Sequence, residues 1–303
     1  MHVLLMVNSS AGRGRAERNA EQAQEVLTAE GLDVVRLPAD RAAQPAAVLR
    51  GIDEGASALV VCGGDGTVHT AVQALAGGDC PLGVIPSGTG DDNARSLGIP
   101  PGDAAGAAIR IAHDVLGGHH SRLDVARVVA ADGRSALVLG VVSTGFDSTV
   151  NAWANDRSWP SGTAKYVLGM IRLLPAFRPI DYVVDVDGMR REGLGMLVCI
   201  GNGPSYGGGM LVCPQARRDD GSLDVMWLAD VPTPRFLAIF PRVYAGTHVG
   251  HDRVTMLRGA SVRVEARGQL AFGDGELIGP LPVTINCWPA ALRVVGGGEE
   301  LDT

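Results

Sequence analysis

Leu59-Val60-Val61-Cys62-Gly63-Gly64-Asp65-Gly66-Thr67 carries an unbroken apolar run into a glycine-rich loop, and a helical pattern, Val68–Ala76, follows at once. A short apolar run that ends on glycines reads as a strand buried on both faces. The flanking sequence repeats the unit. Upstream, Val3–Val7 reads as strand, Arg15–Glu30 as helix, Val34–Leu37 as strand and Ala46–Glu54 as helix; downstream, Leu82–Ile85 reads as strand. Such alternation predicts a parallel sheet with helices on both faces and ligands at the carboxyl ends of the strands.

Both conspicuous glycine loops of this region fall at strand ends. In Gly63-Gly64-Asp65-Gly66-Thr67 the glycines let the backbone approach a ligand, and Thr67 is placed to cap a helix whose first amides point at an anion. Asp65 sets a carboxylate beside that anion, which makes sense with Mg²⁺ between them. The plain alternative is a tight strand-to-helix turn. The strand Leu82–Ile85 runs into Pro86-Ser87-Gly88-Thr89-Gly90-Asp91-Asp92-Asn93-Ala94-Arg95, where Thr89 and Asp92 have the spacing of a capping box. Two such loops on neighbouring strand ends predict one pocket for an anionic ligand.

From about Leu123 onward strands separated by turns dominate. Tyr182–Val186, the turn Asp187-Gly188 and Leu194–Ile200 read as a hairpin, and Ser261–Ala266 alternates polar with apolar residues as a half-buried strand does. Helical patterns interrupt near Gly162–Leu174 and Pro234–Tyr244, and the glycine-rich tail from Gly296 reads as frayed. The expected organisation is an α/β domain over residues 1–125 and about 290–303, with a β-rich, sandwich-like domain over 126–289.

Composition removes several function classes. Of 26 basic residues every one is arginine except Lys165, whose setting, Gly162-Thr163-Ala164-Lys165-Tyr166, fits no P-loop, protein-kinase or Schiff-base lysine. A net charge of −7 argues against a general nucleic-acid binder. The five cysteines are scattered, with no CxxC pair, and suit a reduced cytosolic setting. The N-terminus lacks a basic region before its apolar run, so it reads as a first strand and not as a signal peptide; no run approaches the ~20 residues of a membrane span. There is no GxSxG elbow for a serine hydrolase. His119-His120 and the pair His248 and His251 have no cysteine or carboxylate spacing that completes a zinc site, and read as surface or capping residues.

In order along the chain stand Asn8-Ser9-Ser10-Ala11-Gly12-Arg13-Gly14, the Gly63–Thr67 loop, Pro86–Arg95, Gly207-Gly208-Gly209-Met210 with Pro214 and Asp220-Gly221, and Asp274-Gly275-Glu276. This ordered set resembles the diacylglycerol kinase catalytic family, which includes soluble bacterial lipid kinases and the sphingosine kinases; the first and third stretches are similar to its NPxSGxG and PxGTxNDFAR patterns. The resemblance covers nearly the whole chain. One departure stands out: Asp91-Asp92-Asn93 occupies the place of the family's Asn-Asp-Phe, adding a carboxylate and removing an aromatic.

The resemblance implies a phosphofructokinase- or NAD-kinase-like first domain, a β-rich second domain and an active site between them, using ATP and Mg²⁺. It implies that Gly63, Gly64, Asp65, Gly66 and Thr67 cradle the nucleotide phosphates, with Asn8, Ser87, Gly88, Thr89 and Asp92 also on the nucleotide, and His69 beside it. Asp65, Asp92 and Asp124 match aspartates that hold the catalytic Mg²⁺ through water. Arg13 and Arg15 are candidates for phosphate contact or for solvated charges at a helix start. Glu276 matches the family's general base, against the alternative of a solvated residue after an Asp-Gly turn. Asp220, with the carbonyls of Arg217 and Ser222, matches a second, structural Mg²⁺ site, against a plain Asp-Gly turn. Ser143-Thr144-Gly145-Phe146-Asp147 resembles the family's glycine-rich strand end leading into the second domain.

The resulting expectation is an ATP-dependent kinase converting diacylglycerol to phosphatidic acid. The alternatives are a kinase of another hydroxyl lipid (phosphatidylglycerol or a long-chain base), an NAD kinase-like enzyme, and a non-catalytic nucleotide- or lipid-binding protein. Expected partners are ATP, a lipid substrate and the inner face of the membrane, met transiently from the cytoplasm; homo-oligomerisation stays open. Tyr166, Met170, Leu173, Leu174 and Phe177 fall at helical spacing beside Lys165 and Arg172, with Trp153 and Trp159 upstream; this stripe suits either a bilayer interface or a core.

Overall fold

The computed structural model describes residues 1–9, 11–40, 42–157 and 163–298. The chain divides into two compact units, Met1–Leu123 with Ala290–Thr303, and Asp124–Pro289.

In the first unit the elements run β1 (His2–Val7), α1 (Arg15–Ala29), β2 (Asp33–Arg36), α2 (Gln44–Asp53), β3 (Ala58–Gly63), α3 (Asp65–Leu75), β4 (Leu82–Pro86), α4 (Asp92–Ser96) and α5 (Ala104–Gly117). The strands are parallel, paired in the order β4, β3, β1, β2, with Leu4 opposite both Leu59 and Val35 and Val60 opposite Gly83. The last residues of the chain's final strand, Val294 and Val295, join the free side of β4. β1, β3 and β4 are buried along nearly their whole length, which is why they read as continuous apolar runs; β2 is the edge and is mostly exposed. Helix α1 packs on α5 through alanines, Ala16, Ala20 and Ala23 meeting a helix that buries Ala104, Ala107, Ala108 and Ala112. Small side chains at that seam let the helices approach closely.

The second unit contains β5 (Ser121–Ala130), which begins in the first, then β6 (Ser135–Val138), β7 (Val141–Gly145), α6 (Phe146–Asn155), α7 (Thr163–Leu173), β8 (Ile180–Val186), β9 (Met189–Gly201), β10 (Leu223–Ala229), α8 (Thr233–Tyr244), β11 (Val254–Gly259), β12 (Ser261–Glu265), β13 (Leu270–Gly273), β14 (Glu276–Pro280) and β15 (Val283–Val295). It is antiparallel, ordered β14, β13, β7, β9, β8, β12, β15, with β10 and β11 added on the far half of β9. Alternation decides its two cores. Val198 and Ile200 of β9 and Val225 and Trp227 of β10 point into one, with Tyr182, Val262 and Ile285; Leu197 and Cys199 of β9 and Met226 and Leu228 of β10 point into the other, under α6, α7 and α8.

The chain is a mixed α/β protein with a β-rich second part. Several boundaries differ from those read in the sequence. Helix α3 starts at Asp65, not Val68, so the second half of the glycine loop is its first turn. β9 extends back to Met189 because the turn Asp187-Gly188, with φ of 51° and 85°, closes the hairpin directly on it. The tail is held as far as Gly298, whose N–H donates to Leu97 O at 2.8 Å, while Gly296 N–H donates to Asp114 Oδ2 at 2.7 Å; residues 299–303 lie outside the described part. Among the described residues no helix is long and apolar enough to cross a membrane.

Gly83 on β4 marks where α5 closes on the sheet: a Cβ there meets Ile111 Cδ1 at 2.9 Å. Gly83→Val is expected to destabilise the protein by about 1–3 kcal/mol through overpacking, read as a lower denaturant midpoint at unchanged slope.

Candidate active site

Three loops converge at the carboxyl ends of β1, β3 and β4, and their backbones touch. A Cβ on Gly88 stands 2.6 Å from Gly64 Cα, one on Gly12 stands 2.2 Å from Ser87 O, and one on Gly63 stands 2.3 Å from Thr67 Oγ1. Gly12 also needs its left-handed φ of 59°. Thr67 does not cap α3. The N-cap is Gly64, which supplies no side-chain bond, and the buried Thr67 hydroxyl accepts from Asn8 Nδ2 at 3.3 Å. The start of α3 is therefore an N-terminus without a side-chain cap, carrying Asp65 in its first turn.

The Thr89/Asp92 capping box is likewise absent. Thr89 is exposed, and the N-cap of α4 is Asp91, at φ 52°, whose Oδ1 accepts Gly88 N–H at 2.8 Å. The departure from the family pattern thus holds the second glycine loop in shape, and it does so through an oxygen that asparagine also has. Asp65 Oδ1 accepts Asn93 N–H at 2.9 Å, which ties the first loop to α4, and Asp92 is buried beside it. Burial pushes the Asp91 carboxyl up, opposed by Gly88 N–H, Arg95 and Arg15 and reinforced by the charge of Asp92.

Arg15 staples loops. Its Nη2 donates to Gly88 O at 2.8 Å and its Nε to Gly12 O at 3.2 Å. Arg13 lies on the short 3-10 turn Ala11–Gly14, and its side chain is outside the described residues. Ser87 is enclosed: Asn19 Nδ2 donates to its hydroxyl at 2.9 Å, and the Cys62 thiol lies 3.3 Å away. His69 stands one turn into α3, its ring Nε2 3.5 Å from Gln73 Nε2. With Asp65, Asp91 and Asp92 close together and the Arg15 guanidinium drawn onto carbonyls, the donor set is carboxylate oxygen, which fits Mg²⁺.

The second unit holds the remaining residues. Asp124 is buried; its N–H donates to Arg218 O at 2.6 Å, and its Oδ2 accepts Gly221 N–H at 2.7 Å. Burial first, then the Asp124 charge, pushes the Cys287 thiol up to about 12. Asn202 is fully buried and donates from Nδ2 to Asp124 O at 2.9 Å and Leu139 O at 2.8 Å. Sequence reasoning missed the next link: the Asp274 carboxylate accepts the N–H groups of Leu139, Gly140 and Val141, each at 3.1 Å. That cradle fixes the turn Asp274-Gly275, with φ of 50° and 85°, and so the start of β14, where Glu276 is exposed opposite Gly273. The tripeptide is at once an Asp-Gly hairpin and a platform for a solvent-facing carboxylate.

A further polar cluster lies at the start of α6, in the stretch Ser143–Asp147. Asp147 Oδ2 accepts Asn151 Nδ2 at 2.8 Å and bonds the side chains of Ser143 and Tyr206; burial nevertheless pushes its carboxyl up, and burial with the Asp147 charge pushes the Tyr206 phenol well up.

At the expected second metal site, Asp220 Oδ2 pairs with the Arg258 guanidinium and Oδ1 accepts Ser222 N–H at 3.1 Å, while the Arg217 guanidinium turns to Asp219. Arg258 sits on β11, a strand the sequence reading did not assign. Of the histidines, His248 differs from expectation and His119 is at the surface as expected. His248 is buried against Val212 O at 3.1 Å, and burial pushes its pKa down, whereas His119 stacks 5.9 Å from His113 next to Asp114, on the first unit's surface.

Residues 2–128 match the profile of the diacylglycerol kinase catalytic domain, and residues 140–296 match the YegS C-terminal NAD kinase beta sandwich-like domain. The chain is 37% identical over 295 residues to the diacylglycerol kinase of Mycobacterium tuberculosis strain H37Rv, covering 97% of this chain and 94% of that one. It is 32% identical over 245 residues to a YegS-like lipid kinase of Pseudomonas aeruginosa strain PAO1, covering 79% and 76%. A crystal structure of a diacylglycerol kinase from Bacillus anthracis superposes with a TM-score of 0.72 at 20% identity, covering 99% and 98%. An NAD kinase from Archaeoglobus fulgidus in complex with ATP superposes at 0.58 and 14%, covering 99% and 95%. The last two are likenesses of fold.

Two outcomes follow from the site. Asp91→Asn keeps an acceptor for Gly88 N–H and removes a buried charge. Because the folded carboxyl titrates above its unfolded value, wild-type stability falls relative to the variant as pH rises through that raised value; melting curves are expected to coincide in acid and to favour the variant at neutral pH. Arg258→Ala frees Asp220. Without nucleotide, Mg²⁺ is expected to raise the melting temperature of that variant over its value in chelator by more than it does for wild type, and Arg258→Ala/Asp220→Asn is expected to lose the gain.

Proposed function

The chain belongs to the diacylglycerol kinase family of lipid kinases, and on that premise we propose that it transfers the γ-phosphoryl group of ATP to the hydroxyl of diacylglycerol, giving phosphatidic acid. The observation that carries the reading is the meeting of three loops at the ends of β1, β3 and β4, with the uncapped N-terminus of α3 among them. Backbone amides there suit a chain of phosphates, and the close glycines leave room for them.

In this reading Gly63–Thr67 and Gly88–Thr89 bind and orient the triphosphate, and Asn8 and Arg15 keep the loops in register. Asp65, Asp92 and Asp124 offer carboxylate oxygens to Mg²⁺. The bound ion supplies neutralisation of the β- and γ-phosphate oxygens. Glu276 accepts the hydroxyl proton as the new O–P bond forms and the bond from phosphorus to the departing ADP oxygen breaks. Asp274, gripped by three amides, holds the turn that presents Glu276. Diacylglycerol is favoured by the name of the Mycobacterium relative; the Pseudomonas relative, a YegS-like lipid kinase, keeps phosphatidylglycerol and long-chain bases as competing acceptors.

The test offers labelled ATP and Mg²⁺ with diacylglycerol, phosphatidylglycerol, a long-chain base and NAD in separate reactions. Label in phosphatidic acid is expected. Label confined to another lipid or to NADP moves the substrate assignment, and none in any product refutes a phosphotransferase. Glu276→Gln is expected to lower kcat by about 10²–10⁴-fold with nucleotide affinity kept, the range for general base catalysis; undiminished turnover removes Glu276 from the reaction.

A further inference from the structure

Of the features the sequence singles out, the α7 stripe is spent on packing: Met170 and Leu174 are buried, and Tyr166, Leu173 and Phe177 pack with them. Trp159 lies outside the described residues. His119 is accounted for neither by packing nor by the lipid kinase reading. By spacing it completes no zinc site, but the fold brings it partners that spacing does not show. Helix α5 ends at Gly117, and Gly118 turns the chain back at φ 69° and ψ 20°, with His119 N–H donating to Asp114 O at 2.8 Å. That reversal sets the His119 ring 5.9 Å from the ring of His113. Gly117 makes room for it. Its backbone is helical and needs no glycine, yet a Cβ there would stand 2.9 Å from Nδ1 and Cε1 of His119. Asp114 completes the group. Its Oδ1 is 3.6 Å from His113 Nδ1, while its Oδ2 accepts Gly296 N–H at 2.7 Å, so one oxygen is anchored to the chain's tail and the other lies against an imidazole.

The ligand atoms of His113, Asp114 and His119 lie within 4.8 Å of one another. Two ligands on one tetrahedral ion stand about 3.3 Å apart at bonds of about 2.0–2.1 Å, and the His113 side chain, 76% exposed, has room to close the difference by rotating. Position adds to composition. The last carbonyls of a helix carry negative partial charge, and the last turn of α5 holds no basic residue to meet it. Arg110, one turn before Asp114, stands 3.6 Å from Asp103 instead. A cation between the two imidazoles and the Asp114 carboxylate answers both the carboxylate and the helix end.

We propose that His113, Asp114 and His119 form a surface site for Zn²⁺, with water completing the tetrahedron, and that the ion clamps the end of α5 to the tail of the chain. Two imidazole nitrogens with one carboxylate suit a borderline transition metal, whereas Mg²⁺ takes oxygen ligands. The donor set therefore differs from the carboxylates proposed for the kinase's Mg²⁺. The clamp has a defined target. Gly296 directly follows Val294 and Val295, which pair with Leu82 and Gly83 of β4, and its N–H is the outer hydrogen bond that orients the Asp114 ligand. A loaded site holds that hydrogen bond closed, and with it the end of the strand that lies beside β4.

Equilibrium dialysis of the full chain against Zn²⁺, with Mg²⁺ in large excess to hold the carboxylate-rich site, is expected to show one equivalent bound. Co²⁺ in its place is expected to give the intense visible absorption of a four-coordinate ion. His113→Ala, His119→Ala and Asp114→Asn are each expected to weaken Zn²⁺ binding by more than about tenfold, the least that loss of an outer hydrogen-bond partner costs. His113 and His119 are exposed, and asparagine at 114 keeps an acceptor for Gly296 N–H, so the metal-free variants are expected to melt as wild type does. Zn²⁺ is expected to slow hydrogen exchange at Gly296 N–H in wild type and in none of the three variants. Binding and exchange are read without turnover, so a failed substrate assignment leaves this test intact. Failure of wild type to take up Zn²⁺ in excess Mg²⁺, or unchanged affinity in any one variant, overturns the site. Binding with unchanged exchange at Gly296 overturns the clamp.

Discussion

Everything at the candidate site depends on how closely the strand-end loops of the first unit approach. Gly64 and Gly88 meet with no room for a side chain between them, and Gly12 closes on the carbonyl of Ser87. That contact is made possible by β4, β3 and β1 being parallel neighbours, so that the loops leaving all three open on one edge. Loop closeness then dictates the rest. Arg15 can span from Gly12 O to Gly88 O, Asp65 can reach the amide of Asn93, and Asp91 can fold back on Gly88. A side chain at any of these glycines would separate the loops and undo several hydrogen bonds together.

The second unit solves a different problem. Its sheet has two apolar faces, so the strands alternate between cores and leave few polar positions inside. The polar groups that are inside form connected chains: Asp124 to Asn202 to Leu139, and Asp274 to the amides that follow. Buried amides need acceptors, and a carboxylate accepting three of them is well compensated. Glu276 inherits its position from that compensation.

How much of this was legible depends on range. β1, β3 and β4 were readable because strands buried on both faces are apolar without interruption, and the Asp187-Gly188 hairpin because both residues sit at positive φ. The ordered loops pointed to the family. Roles set by distant partners were not readable. Thr67 looked like a cap, yet its hydroxyl is drawn back to Asn8, 59 residues away; the pairing of Asp220 with Arg258, from a strand 38 residues on, has no local signal. Asp274 looked like a turn former because its three amides lie more than 130 residues upstream. On α7 the period was right and left two readings for the stripe, of which the core is the one observed, since periodicity gives a stripe its spacing but not its neighbour.

The near-absence of lysine then acquires a physical meaning. A chain without lysine near its glycine loops has neither a P-loop lysine nor another lysine point charge there, and the arginine best placed to replace it, Arg15, is drawn onto two backbone carbonyls. In the proposed reaction, positive charge for phosphate at these loops is left to backbone amides, the start of α3 and a divalent cation held by Asp65, Asp92 and Asp124. The one lysine stands instead on α7, and the planar fork of Arg15 suits the fixed carbonyls of a packed loop.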